Sequence, residues 1–378
     1  MSEYQYYEFQ AIDRPLTAKE QATIQKLSSR VQLTPHRAIF LYNYGDFRGK
    51  PEELVTQYFD VMFYIANWGT RQLIFRFPKA IVDPSWYEPY ELPYAITIKQ
   101  TREYVVLNIN INDEDGGMGG WVEGEGWLPQ LLPLRDQLLT GDVRLLYLAW
   151  LRAVPNCAGY AAHNIEDDPI EPPIPPNLGK LSAPLETFVE LVELDPDLVA
   201  AAAKASKKAT AKSKAQPPLE ANLVNLSASE KEVFLLKLVR REPHVDLQLI
   251  NRLQELAGPT DAAPSSVTGY RKLSELTEMM DEIFTKREKK EQEKARRKRI
   301  KELEALAPKE EKLWQQVVVL IKTKQAKPYD EATALLQDLR DLAEYQKKLP
   351  DFIKCFKDLQ DEYQNRPALM RRFRKIKL

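Results

Sequence analysis

Apolar residues recur at two different spacings along this chain, and the order of the two spacings restricts the folds that the chain can adopt. Within residues 1–160, segments with the two-residue period of a β-strand are interleaved with segments at the three-and-four spacing of an α-helix. After residue 228 only the helical spacing continues. This order predicts an α+β N-terminal domain, with helices packed on one face of a mostly antiparallel sheet, followed by an all-α C-terminal region.

The N-terminal domain, residues 1–160, has an expected order of strand, helix, strand, helix and then several strands. Thr17, with Glu20 three residues later, forms a capping box that starts the first helix. Pro51 starts a second helix, whose apolar face is predicted to reach Ile65. Strands are predicted at 4–12, 38–44, 71–77, 94–99 and 103–111, and two closing helices at 131–139 and 143–153.

The middle of the chain changes in composition twice. Six prolines from residue 167 to residue 184 predict an extended segment at 161–184, which is either a linker or an arm laid on a surface. A short helical segment is predicted at 185–203. Residues 204–228 are rich in Lys and Ala, a composition that buries too little apolar surface to fold alone, so a disordered linker is expected there.

The C-terminal region is predicted to begin with a pair of helices at 229–258. A long charged helix follows at 268–306, with an apolar seam at Leu273, Leu276, Met280 and Ile283 that is not continued by the residues beyond it. Residues 309–378 contain three amphipathic segments with short connections, which predicts a small helical bundle.

Charge is divided unequally along the chain. Residues 1–200 carry 16 Lys and Arg against 28 Asp and Glu, whereas residues 201–378 carry 38 against 27. Because long-range fields act on approaching molecules rather than on the fold, this asymmetry favours an interaction protein. The sharpest basic feature is residues 286–301, which hold ten Lys or Arg and three Glu.

One face of the charged helix carries a basic stripe, which we define as Lys286, Lys290, Lys294, Arg297 and Lys301. These five residues are candidate contacts for nucleic acid or another anion, since such a stripe can follow phosphates. Docking on an acidic surface, either of another protein or of this chain's own acidic half, and plain solvation of the helix are the two other interpretations, and the sequence leaves all three open.

Four aromatic residues are candidate partner-binding residues: Trp121, Trp127, Trp314 and Tyr329. Trp121 and Trp127 lie in a glycine-rich loop at 113–127, which does not have the glycine spacing of a phosphate-binding loop. The acidic residues at its start leave a cation site open as a minor alternative. An enzyme with its site in this loop is the least favoured interpretation.

No catalytic residue, metal ligand set or cofactor is assigned from the sequence. The three histidines lie in separate segments, and Cys157 and Cys355 are too few for a structural zinc site or a disulfide framework. No apolar run has the length of a membrane span, and the first residues lack the features of a signal peptide. We therefore expect a cytoplasmic protein without disulfides and without membrane contact.

Several phrases carry resemblances to known families. SEYQYYEF, GDFRG, YFDVMFYIANWGTR and GEGWLPQLLPLRDQLLTGDVRLLYLAWL resemble a bacterial family of uncharacterised function over much of residues 1–160. LWQQVVVLIKTKQAKPYDEATALLQDLRDLAEYQKKLPDFIKCF is similar to the C-terminal helical region of bacterial SWIM zinc-finger proteins, whose zinc motif needs three cysteines. This chain has two, so zinc binding is not carried over.

The resemblance implies a helical docking module. The leading prediction is a non-enzymatic bacterial adaptor whose helical C-terminal region docks a protein partner, with a SWIM zinc-finger protein as the named candidate. The alternative is a nucleic-acid-associated protein that uses the basic stripe.

Overall fold

A computed structural model describes residues 4–113, 122–157, 166–207, 223–240, 242, 245–256 and 267–376. It confirms the predicted fold class, an antiparallel sheet with helices followed by an all-helical region. The sheet has seven strands in the order β2-β3-β1-β4-β5-β7-β6. The strands are β1 (Gln5–Gln10), β2 (Gln32–Leu33), β3 (Arg37–Tyr42), β4 (Val61–Ala66), β5 (Arg71–Pro78), β6 (Ile96–Gln100) and β7 (Tyr104–Ile111).

Helices cover both faces of this sheet, so the prediction of helices on one face is wrong. On one face Phe9 of β1 packs in a core with Ile24 and Leu54, which belong to the first two helices. Successive strand residues point to opposite sides, so Tyr6 lies on the other face, in a larger core that includes Leu148. The helices are α1 (Ala18–Gln25), α2 (Pro51–Tyr58), α3 (Trp127–Leu131), α4 (Pro133–Leu139), α5 (Arg144–Cys157), α6 (Ala183–Leu191) and α7 (Pro196–Ala203).

The predicted extension of α2 to Ile65 is wrong. The helix ends at Tyr58, and the chain continues as β4, in which all six residues are buried. β4 pairs with β1 on one side and β5 on the other, with core on both faces, so every side chain can be apolar. A short, wholly apolar run does not distinguish a central strand from a buried helix, and this explains the error.

The proline-rich segment packs as an arm from residue 166 onward. Ile174 and Leu178 are buried in the larger core. Backbone bridges join Ile170 to Lys272 and Ile174 to Val267, so the arm lies beside the chain that leads into the long helix. Of the predicted linker at 204–228, residues 208–222 lie outside the described part.

A buried ion pair fastens the arm. Arg271 donates through Nε to Glu171 Oε1 at 2.7 Å and through Nη2 to Glu171 Oε2 at 2.8 Å, and the two side chains are 5% and 0% exposed. The hydroxyl of Tyr147 in α5 also donates to Glu171. Arg271 donates further to the carbonyl oxygens of Ala201 and Ala202 at the end of α7. The arm, α5 and α7 are thus joined at one buried point.

The remaining helices are α8 (Ala228–Val239), α9 (Val245–Leu256), α10 (Leu273–Leu306), α11 (Glu310–Lys322), α12 (Ala326–Tyr345), α13 (Leu349–Glu362) and α14 (Pro367–Phe373). The chain divides into two compact units, unit 1 at residues 1–283 and unit 2 at residues 284–378, with the boundary inside α10. Unit 2 has its own core, to which Leu336 of α12 and Phe356 of α13 contribute fully buried side chains.

Candidate functional site

A continuous exposed charged surface lies on a stretch of α10 that we call the basic segment, residues 284–298. All fifteen residues are exposed, and they include eight Lys or Arg and three Glu. Before this segment, Leu276 is fully buried in the core of unit 1, and Met280 packs against that core. The apolar seam predicted for this helix therefore contributes to the core, and the helix continues beyond it with side chains in water.

The C-terminal end of the basic segment is fixed within unit 2. Arg299 donates from Nη2 to Asp338 Oδ1 and to Asp341 Oδ2, each at 2.7 Å. The hydrogen bonds from Asp341 and Asp338 raise the pKa of the Arg299 guanidinium. One turn later Leu303 is buried, and Tyr345 donates its hydroxyl to Glu304 at 3.0 Å.

The basic stripe is exposed along its full length. Lys286, Lys290, Lys294, Arg297 and Lys301 are all exposed, and their spacing places them on one side of α10. Arg297 lies 3.9 Å from Glu293, with 80% and 70% of the two side chains in water. Solvent screens such a pair, so it adds little to stability and leaves the guanidinium accessible.

Only one aromatic residue belongs to the basic segment. Phe284 is 46% exposed, and the guanidinium carbon of Arg287 lies 5.7 Å from the centre of its ring. Base stacking along a single strand uses several aromatic side chains in succession. The basic segment is therefore better suited to contacts between charges than to stacking.

The aromatic candidates described by the structure pack against cores. Trp127 packs against the larger core of unit 1, and its Nε1 donates to the carbonyl oxygen of Glu123 at 3.0 Å. Trp314 packs against the core of unit 2, with its ring 5.6 Å from that of Phe352. Tyr329 is only 6% exposed and belongs to the core of unit 2. Trp121 lies outside the described residues.

The described part of the glycine-rich loop is fastened to the sheet. The backbone N–H of Gly124 donates to the hydroxyl of Tyr4 at 2.9 Å. A Cβ at Gly124 would lie 2.3 Å from the ring of Tyr6, so only glycine fits there without movement. Residues 114–121, which contain most of the loop's glycines, lie outside the described part. At its start, Asp113 pairs with Arg152 at 3.0 Å.

A second surface, on α8, was not anticipated from the sequence. None of the twelve residues of α8 is buried, although six of them are large apolar residues. The apolar side chains exposed at 40% or more in this part of the chain are Leu223, Val224, Val233, Leu235, Leu236, Leu238 and Val239. The sequence VFLLKLV does contain a signal, because its apolar residues cover more of the helix than one stripe facing α9 requires.

The contacts between α8 and α9 include polar ones. Glu230 pairs with Arg252 at 2.8 Å, and Lys237 Nζ donates to Gln248 Oε1 at 2.6 Å. The side chain of Phe234 is half-buried beside them, whereas Val239 is 80% exposed. Among the described side chains, α8 therefore meets α9 through these polar contacts and the half-buried Phe234, and it leaves several other apolar side chains in water.

Metal-ligand groups and membrane-spanning helices are both absent from the part of the chain that the structure describes. It contains no group of three or more His, Cys, Asp or Glu side chains placed to hold a metal ion. In the same residues, no helix combines the length and apolar character needed to cross a membrane. Cys157 and Cys355 are both free thiols.

Comparison of the chain with protein-family models, curated proteins and solved structures gives no match.

Proposed function

We propose that this protein is a non-enzymatic adaptor that docks an acidic surface of a protein partner through the basic stripe of α10. The observation that carries the proposal is the exposure of all fifteen residues at 284–298, which hold eight basic and three acidic side chains. A helix that buries no side chain over four turns gains little from packing, so its exposed charges are available to a partner.

Mixed charge favours a protein over nucleic acid as that partner. Glu288, Glu291 and Glu293 lie within the basic segment, and each would repel a phosphate chain that wrapped the helix. A protein surface carries both signs of charge, so it can place a Lys or Arg opposite these residues and fix the register of docking.

The partner we propose is a SWIM zinc-finger protein, in a bacterial cytoplasm. This part of the proposal rests on the resemblance of residues 313–356 to the helical region of those proteins. An amphipathic helix can lay its apolar face in a groove of a partner, so a shared helical module is a candidate docking element.

Two matched double variants test the docking role. Lys290→Glu with Arg297→Glu reverses two charges of the basic stripe, and Lys289→Glu with Arg296→Glu makes the same change toward another side of the basic segment. Tagged full-length proteins are used to capture partners from the native lysate, with nuclease present, and captured proteins are identified by mass spectrometry. We expect a partner that the stripe variant loses and the control variant keeps. Equal capture by both variants would refute the proposal.

Nucleic acid is the second candidate, and one observation favours it. The basic stripe is contiguous on one side of α10 and spans about 22 Å at 1.5 Å per residue, enough to contact several successive phosphates. A labelled duplex is titrated with full-length protein at several salt concentrations. Alanine at Lys290, Lys294, Arg297 and Lys301 should weaken binding and reduce the salt dependence by about one unit per lost phosphate contact. Binding unchanged by the four substitutions would exclude this candidate.

A further inference from the structure

The outward face of α8 has a charge pattern that is complementary to itself. Glu232, Leu236 and Arg240 follow one another at intervals of four, so they form a single ridge along the helix. Val233 and Val239 lie on the two sides of this ridge, three residues before and three residues after Leu236. All five residues are exposed, and Leu236 is 53% exposed.

The ridge is not used inside the described chain. Glu230 and Lys237, which contact α9, lie on another side of α8. Glu232 and Arg240 make no ion pair with any described residue, although they carry opposite charges eight residues apart. An apolar patch rimmed by charge is typical of an interaction site rather than of a solvated helix.

We propose that this face of α8 binds the same face of a second copy of the chain. Two antiparallel helices related by a two-fold axis at Leu236, with their i,i+4 ridges aligned, place Glu232 of each copy opposite Arg240 of the other. The same operation places Val233 of each copy at the level of Val239 of the other and brings the two Leu236 side chains together. One helix face thus supplies two ion pairs around an apolar centre.

The charge pattern of this face favours a second copy of the chain over an unrelated partner. A face with Glu at one end and Arg at the other matches its own antiparallel copy without any change, whereas a parallel copy would put like charges together. A helix of 12 residues is about 18 Å long at 1.5 Å per residue, so the contact is small and the dimer should dissociate on dilution.

The dimer does not depend on the proposed adaptor role, because it uses α8 and leaves the basic segment untouched. It would give the adaptor two basic segments. Two linked sites raise the avidity for a repeated partner without any new contact.

The test measures the association of full-length protein by sedimentation equilibrium over a range of concentrations. Leu236→Asp is compared with Leu238→Asp, because Leu236 and Leu238 are 53% and 54% exposed but point to different sides of α8. We expect Leu236→Asp to weaken association about tenfold or more, as at the centre of an interface, and Leu238→Asp to leave it unchanged. Far-UV circular dichroism confirms that both variants keep their helices.

Charge reversal then tests the antiparallel register. Glu232→Arg makes both ends of the ridge positive, and Arg240→Glu makes both ends negative, so each variant alone should be monomeric. An equimolar mixture restores both ion pairs, and we expect it to associate as the wild type does. A monomeric wild type at its highest soluble concentration, equal effects of the two leucine variants, or a mixture that stays monomeric would overturn the proposal.

Discussion

At the scale of single residues, the buried pair of Glu171 and Arg271 joins the proline-rich arm to α5 and α7. Glu171→Gln removes the negative charge and leaves the guanidinium of Arg271 buried, with carbonyl oxygens and an amide as its partners. Breaking a buried pair on one side costs about 3–5 kcal/mol, because the remaining charge is not compensated. We expect a loss of this size in the free energy of unfolding of unit 1, measured by urea denaturation.

Lys272→Ala is the matched control. Lys272 follows Arg271 directly, and its Nζ lies 3.6 Å from Asp168, but its side chain is 57% exposed. An exposed pair contributes about 1 kcal/mol at most. If Lys272→Ala lowered the free energy of unfolding as much as Glu171→Gln does, burial of the ion pair would not be the reason for its contribution to stability.

The carboxyl group of Glu230 gives a second prediction at this scale. Hydrogen bonds from the hydroxyl and then the backbone N–H of Ser227, followed by Arg252, lower the pKa of Glu230 to about 2. A lowered pKa means that the stabilising contacts are complete above the ordinary value of 4.5 and are lost as the pH falls through about 2. The start of α8 should therefore keep its capping box at pH 4 and lose it near pH 2.

NMR titration of the Glu230 side-chain carbon measures this pKa directly. Ser227→Ala should move the pKa toward 4.5, because it removes the largest cause of the shift. Ser229→Ala removes only a hydroxyl contact of 3.1 Å with Ser227, so the titration should not change. A midpoint near 4.5 in the wild type would contradict the capping geometry.

At the scale of secondary structure, α10 should differ in stability along its length. The turns before residue 284 include the buried Leu276, whereas the basic segment buries no side chain. Ion pairs between residues four apart stabilise a helix by only about 0.2–0.5 kcal/mol each. Because the basic segment has little other stabilisation, its backbone hydrogen bonds should open locally.

Amide hydrogen exchange read by mass spectrometry checks this prediction. We expect exchange at 284–298 to be about tenfold faster or more than at 273–283. α12, with Leu336 and Leu339 buried, is the internal control and should exchange slowly. Uniform protection along α10 would mean that the basic segment is covered.

Local patterns were sufficient for much of the fold and insufficient at identifiable places. The capping box at Thr17 and Glu20 is confirmed, because its signal lies within four residues. The sequence pattern wrongly extends a helix into β4, because the apolar residues of β4 have no period that separates a strand from a helix. The pair of Glu171 and Arg271 joins residues one hundred positions apart, and no local pattern carries that information.

The candidate surfaces show the same limit. The basic stripe could be predicted, since charge spacing on a helix requires only the helix itself. For α8, the sequence VFLLKLV shows only that apolar residues exceed what one buried stripe requires, because the side of a helix that meets its neighbour depends on tertiary packing. Tyr329 has an ordinary place in a helical pattern, and only the packed bundle shows that its ring lies in the core.

At the scale of the whole molecule, the division of charge coincides with the division into units. Unit 1 carries 28 Lys and Arg against 39 Asp and Glu, and unit 2 carries 26 against 16. Each unit also has its own core. The basic character of the C-terminal half is therefore a property of one compact unit, which is consistent with a docking role for it.

Separate cores predict separate unfolding, and two matched substitutions test this in the full-length chain. Leu336→Ala in unit 2 and Leu148→Ala in unit 1 each remove a fully buried side chain. Such changes cost about 2–5 kcal/mol, which lowers the melting temperature by about 10 °C or more in unit 2 and by about 5 °C or more in the larger unit 1. Calorimetry should show two transitions, one lowered by Leu336→Ala alone and the other by Leu148→Ala alone. If either substitution lowered both transitions equally, the two units would unfold as one cooperative body.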